Sequence, residues 1–318
     1  MVDPTSTATA IEFRGLSRHF GATRAVDNVS LAIEAGSVCG FVGPNGAGKT
    51  TAMRILSTLD LPTHGDALID GMSVVLDADR VRPLVGFMPD SYGVYKNVRC
   101  HEYLDFFARA YGLVGRERER RVRQIMEFTG VAQIREKQMT ALSKGMRQRL
   151  CLGRALIHDP KVLILDEPAA GLDPRARREL KDMVGELASQ GKTLLISSHI
   201  LAELAEMVTE ICIIEQGRLR AHGRVDEIQR HVAPDQTIRV RLLDDPARLV
   251  TWLENRPAIL EAQQESDHVR LRVPQGDDAE NASLLREMIE QGFQVVEFTV
   301  QQKSLEDVFM HVTDGVVQ

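Results

Sequence analysis

Gly43-Pro44-Asn45-Gly46-Ala47-Gly48-Lys49-Thr50 decides how this chain is read. The apolar run Val38-Cys39-Gly40-Phe41-Val42 leads into it, and a helix-like segment from Thr51 to Leu59 leads out. Strand, glycine-rich turn and helix, in that order, form the context of a phosphate-binding P-loop. The glycines let the backbone bend until successive N–H groups point at phosphate oxygens, and the start of the helix adds partial positive charge. In such a loop Lys49 reaches the terminal phosphates and the Thr50 hydroxyl can ligate Mg²⁺. An ordinary glycine-rich turn has no need to fill every one of these positions.

Upstream, Ile11 to Leu16 and Val29 to Ile33 alternate as half-buried strands, whereas Val38 to Val42 is continuously apolar, as a buried central strand would be. Downstream, Asp66 to Gly71 reads as strand and turn, and Val85 to Asp90 as a short strand running into a loop. From Val98 to Gly130 the pattern is helical. Tyr103, Phe106, Phe107, Ala110 and Tyr111 form one apolar stripe, and Val122, Ile125 and Met126 a second. The mixed-sign run Arg116 to Arg121 between them reads as a solvated helix face, with docking to anionic lipid as the sharper option. Residues 95–158 are thus expected to form a helical insert.

Val162 to Leu165 and Thr193 to Ser198 read as buried parallel strands, the first ending in Asp166-Glu167 and the second in His199. Arg175 to Ser189 and Ile200 to Val208 read as helices, and Glu210 to Ile214 as a strand. Strands alternating with helices predict a mostly parallel sheet that binds ligands beyond the carboxyl ends of its strands. Thr50, Asp90, Asp166 and His199 all follow strand ends. The pattern breaks near Val232 to Gln236. Beyond it come strand (Thr237 to Leu243), helix (Pro246 to Asn255), two strands (Ile259 to Gln263, His268 to Val273), helix (Ala279 to Gln291) and strand (Phe293 to Val300). This is a split βαβ order. A short helix, Ser304 to Val312, is expected after it.

With 318 residues the chain has room for two domains, and its net charge of -6 argues against nucleic acid as the main partner. No apolar run is long enough to cross a bilayer, and Met1 to Ala10 does not read as a signal peptide. The expected location is cytoplasmic unless a partner carries the chain to a membrane. Cys39, Cys100, Cys151 and Cys212 lack the close spacing of a metal site and read as core thiols.

ATP hydrolysis needs a phosphate cradle, a metal, an oriented water and stabilisation of charge on the γ-phosphate. Asp166, on a rigid strand end, can hold Mg²⁺ through its water shell. Glu167 can act as general base, because adjacent positions at a strand end point in different directions. His199 can contact the γ-phosphate or the water. Leu142-Ser143-Lys144-Gly145-Met146-Arg147-Gln148 precedes a helical run, with Ser143 a good N-cap and Gly145 leaving a backbone N–H open to a ligand. Phe20 can stack on an adenine ring or pack in a turn or core.

The ordered set of P-loop, Asp90 loop, Ser143 stretch, Leu165-Asp166-Glu167-Pro168, Gly171-Leu172-Asp173 and Ser198-His199 resembles the ATP-binding subunits of ABC transporters over residues 10–225. Met88 to Tyr95, with the tail Lys303 to Phe309, is similar to the ABC-2 exporter subfamily, which includes multidrug and antibiotic-resistance ATPases. The resemblance implies a P-loop NTPase of the α/β class. Its ABC-type nucleotide-binding domain would cover residues 10–230, and a small C-terminal α+β, ferredoxin-like accessory domain residues 235–318. It further implies a head-to-tail homodimer in which each ATP lies between the P-loop of one copy and the Ser143 helix of the other. Separate membrane permease subunits would hold the dimer at the cytoplasmic face, their short helices docking beside the Asp90 loop.

By the same resemblance Gly43, Pro44, Asn45, Gly46, Ala47, Gly48, Lys49, Thr50 and Thr51 hold phosphate, and Phe20 stacks on adenine. Ser143 and Gly145 complete the γ-phosphate site, and Asp173 links across the dimer. Glu167 is the base, His199 the γ-phosphate sensor, and Thr50, Asp90 and Asp166 face Mg²⁺. The chain departs from the family at LSKGM, where LSGGQ is usual, and at Asp90, where glutamine is usual. Asp90 can approach the metal or only cap its loop. A soluble ABC ATPase acting on ribosomes or DNA, and a nucleotide-gated subunit without turnover, are the rival readings. One P-loop, no long coiled-coil insert and the presence of Glu167 speak against them.

Overall fold

The computed structural model describes residues 8–200, 204, 207–225, 227–228, 235–254, 256, 258–274 and 276–301. The helix expected at Ser304 to Val312, and most of the one expected at Ile200 to Val208, fall outside them. The chain forms two compact units, divided between Val225 and Asp226.

The first unit opens with β1 (Thr9–Phe20), β2 (Thr23–Glu34) and β3 (Val38–Val42), followed by α1 (Lys49–Leu56), β4 (His64–Ile69), β5 (Met72–Ser73), α2 (Ala78–Val81) and β6 (Val85–Met88). The helical insert holds α3 (Cys100–Ala110), α4 (Gly115–Phe128) and α5 (Lys144–Leu156). Then come β7 (Val162–Leu165), α6 (Pro174–Ser189), β8 (Thr193–Ser198), β9 (Glu210–Glu215) and β10 (Arg218–Arg224).

The central sheet runs β10-β9-β3-β8-β7-β6. Its strands from β9 to β6 are parallel, and β10 is an antiparallel edge. Every residue of β3, β7 and β8 is buried, as their unbroken apolar runs require of strands covered on both faces. Because these strands are parallel, the loops after β3, β6, β7 and β8 leave the same edge of the sheet.

One feature exceeds the expected parallel sheet. β1, β2, β4 and β5 form a separate antiparallel sheet in the order β2-β1-β4-β5. Periodicity predicts a strand, not its partner. β1 is also twice the expected length, because register shifts around Gly15 (φ +58°) break its alternation.

The insert corrects the expected apolar stripe. α3 buries Tyr103, Leu104 and Ala108, while Phe106 is 64% and Tyr111 44% exposed. Leu104 and Ala108, one turn apart, define the inward face with Tyr103, so the expected stripe is turned partly outward. On α4, Val122, Ile125 and Met126 are buried as expected. The charged run is mostly exposed, but Arg118 pairs with Asp105 at 2.7 Å and Arg121 donates to the Leu156 and Ile157 carbonyls. All four cysteines are buried and free, with the Cys39 and Cys212 sulfurs 3.3 Å apart.

The second unit comprises β11 (Asp235–Leu242), α7 (Pro246–Glu254), β12 (Glu261–Glu265), β13 (His268–Pro274), α8 (Asp278–Glu290) and β14 (Val295–Gln301). Its antiparallel sheet runs β12-β13-β11-β14, the strand order that a split βαβ chain path produces. Ile238, Val240, Leu249, Leu253, Val269, Leu271 and Met288 fill its own core. β12 starts two residues later than its apolar pattern suggests, placed by the tight Glu265↔His268 hairpin.

Candidate nucleotide site

The loop after β3 is shaped by two glycines with no room for a side chain. A Cβ on Gly43 would lie 2.1 Å from the Ile214 carbonyl oxygen, and one on Gly48 2.1 Å from that of Ala25. Gly48 also has φ +103° and serves as N-cap of α1 without a side-chain hydrogen bond. The first N–H groups of α1 thus have no side-chain cap and can meet an anion. Lys49 is 6% exposed. Its Nζ donates to the carbonyls of Gly43 (2.7 Å) and Pro44 (3.2 Å) and lies 3.7 Å from Glu167 Oε1. Burial lowers the Lys49 pKa, against the opposing pull of Glu167 and Asp166.

A cleft of about 360 Å³ opens over this loop. Asn45, Gly46, Ala47, Gly48, Lys49, Thr50 and Thr51 line it from the loop side, and Ala25, Asp90, Glu167, Ala170 and His199 from the others. The carboxylates and the histidine come from three different strand ends, as their places after β6, β7 and β8 predict. The larger cavity, about 750 Å³, lies elsewhere, along α3 and α4.

Two carboxylates in sequence take different positions. Asp166 is 0% exposed. Its backbone N–H donates to the Met88 carbonyl at 2.8 Å, which ties β7 to the end of β6. Burial raises its pKa; hydrogen bonds from Ser197 and Thr50 oppose that, and the charges of Asp90 and Glu167 add to it. Glu167 has φ +49°, a left-handed conformation that is strained for any residue with a Cβ. Its backbone N–H donates to Ser197 Oγ at 2.8 Å, and its Oε2 lies 2.8 Å from His199 Nδ1. Lys49 lies by one oxygen of the Glu167 carboxylate and His199 by the other.

The oxygen donors here suit a hard divalent cation of the Mg²⁺ type. Asp166 Oδ2 is buried without a hydrogen-bond partner at normal geometry, and the Thr50 hydroxyl lies beside that carboxylate. Among the described residues no group of three or more His, Cys, Asp or Glu side chains forms a metal cage. That agrees with a cation which takes one or two carboxylates and completes its shell from phosphate and water.

The structure does not bring every expected residue to the cleft. Phe20 is 50% exposed at the end of β1, with the Arg18 guanidinium 4.5 Å from its ring centroid, so it is not a core residue; nor does it line the cleft. Ser143 caps α5 by accepting from the Met146 N–H at 3.3 Å. Gly145 packs against Leu172, where a Cβ would come within 3.3 Å. Asp173 caps α6 through the Ala176 N–H at 2.9 Å. None of these three lines the cleft of its own chain. Asp90 does line it, and also accepts the Ser91 N–H at 2.6 Å, so capping and facing the cleft are not exclusive.

Two residues were missed by sequence reasoning. Ser197, 0% exposed, positions both carboxylates at once. Gln148 donates to the Pro168 carbonyl at 2.7 Å and so ties α5 to the turn after Glu167. Neither role has a local signal in the sequence, because each depends on which strand or turn lies alongside.

Parallel sheet, phosphate loop and paired carboxylates define a P-loop nucleotide-binding protein. The model of the family described as ABC transporter matches residues 26–170, and that of the ATP-binding protein DrrA1-3-like C-terminal domain matches residues 223–313. The daunorubicin resistance ATP-binding protein DrrA3 of Streptomyces coeruleorubidus is 33% identical over 309 residues, covering 96% of this chain and 96% of that protein. The probable multidrug ABC transporter ATP-binding protein YbhF of Escherichia coli is 34% identical over 235 residues, which span 74% of this chain but only 40% of YbhF. Among solved structures, an ATP-binding subunit of an ABC transporter superposes with TM-score 0.64 at 30% identity, covering 70% of this chain and 93% of that one. The cassette MJ0796, in a dimeric post-hydrolysis state with ADP and Pi, superposes at 0.62 over 68% of this chain and 98% of that one; at 23% identity it shows the fold. The chain belongs to the ABC transporter ATPases, in their ABC-2 exporter branch.

Proposed function

We propose that this chain hydrolyses ATP and energises export through a separate membrane permease, as a head-to-tail homodimer with two composite ATP sites. The observation that carries the reading is the division of the site. Lys49, Thr50, Glu167 and His199 line one cleft, while Ser143, Gly145 and Asp173 stand outside it on the same chain. A second copy facing the first would bring its Ser143 helix end over the bound nucleotide. The MJ0796 cassette, which shares the fold, is described as dimeric with ADP and Pi bound, which supports pairing as part of this reading.

In this reading residues 43–51 cradle the phosphates and Lys49 turns from its carbonyl partners to the terminal phosphates. Thr50, Asp166 and Asp90 would hold Mg²⁺, which would supply neutralisation of phosphate charge. Glu167, held at a fixed angle by Ser197 and Lys49, takes the proton of the attacking water. His199 steadies Glu167 and reaches toward the γ-phosphate, and Phe20 receives the adenine. The permease would dock near the Asp90 loop, where Val94 and Tyr95 leave apolar surface exposed. No helix among the described residues is long and apolar enough to cross a membrane; in this reading the permease holds the chain at the cytoplasmic face.

Phosphate release from Mg²⁺-ATP by the purified chain tests the chemistry. Lys49→Ala should reduce it by roughly 100-fold or more, as loss of a charge clamp on the transferring phosphoryl group does. Unchanged turnover in that variant would refute the site. Recovery of the chain with membranes only when a permease is co-expressed tests the partner.

A further inference from the structure

The charges around the cleft are unbalanced in an unexpected direction for a site that takes a polyanion. Asp90 and Glu167 line it, and Asp166 lies near enough to both for their charges to act on it. Against these three carboxylates stands Lys49; among the described residues no other Lys and no Arg lines the cleft. Lys49 is already engaged by two carbonyls and by Glu167. Asp166, on a side chain that is 0% exposed, meets the hydroxyls of Ser197 and Thr50 but no Lys or Arg at ion-pair distance among the described residues, which leaves its charge open to a cation.

We infer that Asp90 makes nucleotide capture by this cleft conditional on a divalent cation: bare ATP is repelled, and ATP carrying the cation is admitted. The inference rests on the nucleotide reading above and deepens it. The backbone N–H groups of the loop and α1 favour phosphate whether or not metal is present. The carboxylates oppose phosphate until a cation stands between them. Of the three, Asp90 is the one that is exposed and not fixed to a neighbouring strand, since its side-chain bond runs only to the next residue. It adds a carboxylate to the cleft without serving the chain's packing, and the EDTA arm of the test reads its effect on bare ATP apart from any contact with the cation.

The experiment compares ATP affinity by equilibrium binding in excess Mg²⁺ and in excess EDTA, for the parent chain, Asp90→Asn and Asp90→Glu. Asn keeps an oxygen for the Ser91 N–H, so the loop is retained. The parent should bind Mg²⁺-ATP well and bare ATP poorly. In Asp90→Asn bare ATP should bind about tenfold more tightly, the effect of removing one charge at close range in a partly solvated cleft. The ratio of the two affinities should fall with it, and Asp90→Glu should keep the parental ratio. Added salt should narrow the parental gap more than the Asn gap. Equal ratios in parent and Asp90→Asn overturn the inference while leaving the nucleotide site standing. A parent chain that fails to bind Mg²⁺-ATP at all overturns the site, and the inference with it.

Discussion

Ser197 Oγ donates to Asp166 Oδ1 at 2.6 Å, and the same oxygen accepts the Glu167 N–H at 2.8 Å. One hydroxyl on β8 thereby sets the position of two carboxylates on the loop after β7. The bond to Asp166 holds its buried carboxylate in place. The bond to Glu167 helps to hold a backbone with positive φ.

Ser197→Ala removes both bonds and leaves a fully buried carboxylate oxygen without a donor. The loss should cost about 1–3 kcal/mol of stability. Turnover should fall about 10- to 100-fold, with Mg²⁺-ATP binding nearly retained, because the loop after β3 is untouched. Calorimetry, phosphate release and equilibrium binding on one preparation separate these effects. Loss of binding in proportion to turnover would mean that Ser197 supports the fold and not the carboxylates.

Gly48→Ala places a Cβ on the Ala25 carbonyl oxygen at a φ of +103°. Backbone, not a flexible side chain, stands in the way. The expected cost is roughly 3 kcal/mol, with nucleotide binding lost as the loop shifts. Gly46→Ala has positive φ but open space around it, and should cost about 1–2 kcal/mol. Thermal midpoints of the two variants should therefore fall in that order.

Much of this site was legible from the chain itself, and the reason is local. A P-loop needs particular residues at fixed offsets, and Val162 to Leu165 could only be a covered strand, so Asp166 and Glu167 had to stand at its end. Ser197 was not legible, because a serine at a strand end carries no mark of which neighbour it will bond. The antiparallel sheet of β1, β2, β4 and β5 was hidden for a related reason: 43 residues lie between Phe20 at the end of β1 and His64 at the start of β4, and no local pattern pairs strands that far apart. On α3 two overlapping apolar faces satisfy helical spacing, and only packing decides that Leu104 and Ala108 turn inward while Phe106 and Tyr111 stay exposed.

His158 stacks on Tyr111 with ring centroids 3.8 Å apart and shares a hydrogen bond with the Val85 carbonyl at 3.0 Å. Burial pushes its pKa down from 6.5 to about 4. A pKa lower in the folded chain means that the unfolded chain takes up the proton first on acidification. The neutral ring thus supports the fold fully above pH 6.5, and that support drains away as pH falls toward about 4. The loss should reach on the order of 2 kcal/mol. His158→Gln keeps a donor for Val85 and should flatten the stability curve between those pH values. A parallel curve, merely displaced, would show that the ring does not titrate as its burial requires.

The dimer is the claim on which the functional account turns. Glu167→Gln keeps the phosphate cradle and removes the base, so ATP should stay bound and hold two copies together. Light scattering on gel-filtered Glu167→Gln with Mg²⁺-ATP measures this directly. The account predicts the mass of two chains with ATP and of one chain without it. A single-chain mass at saturating ATP, with nucleotide demonstrably bound, would contradict it.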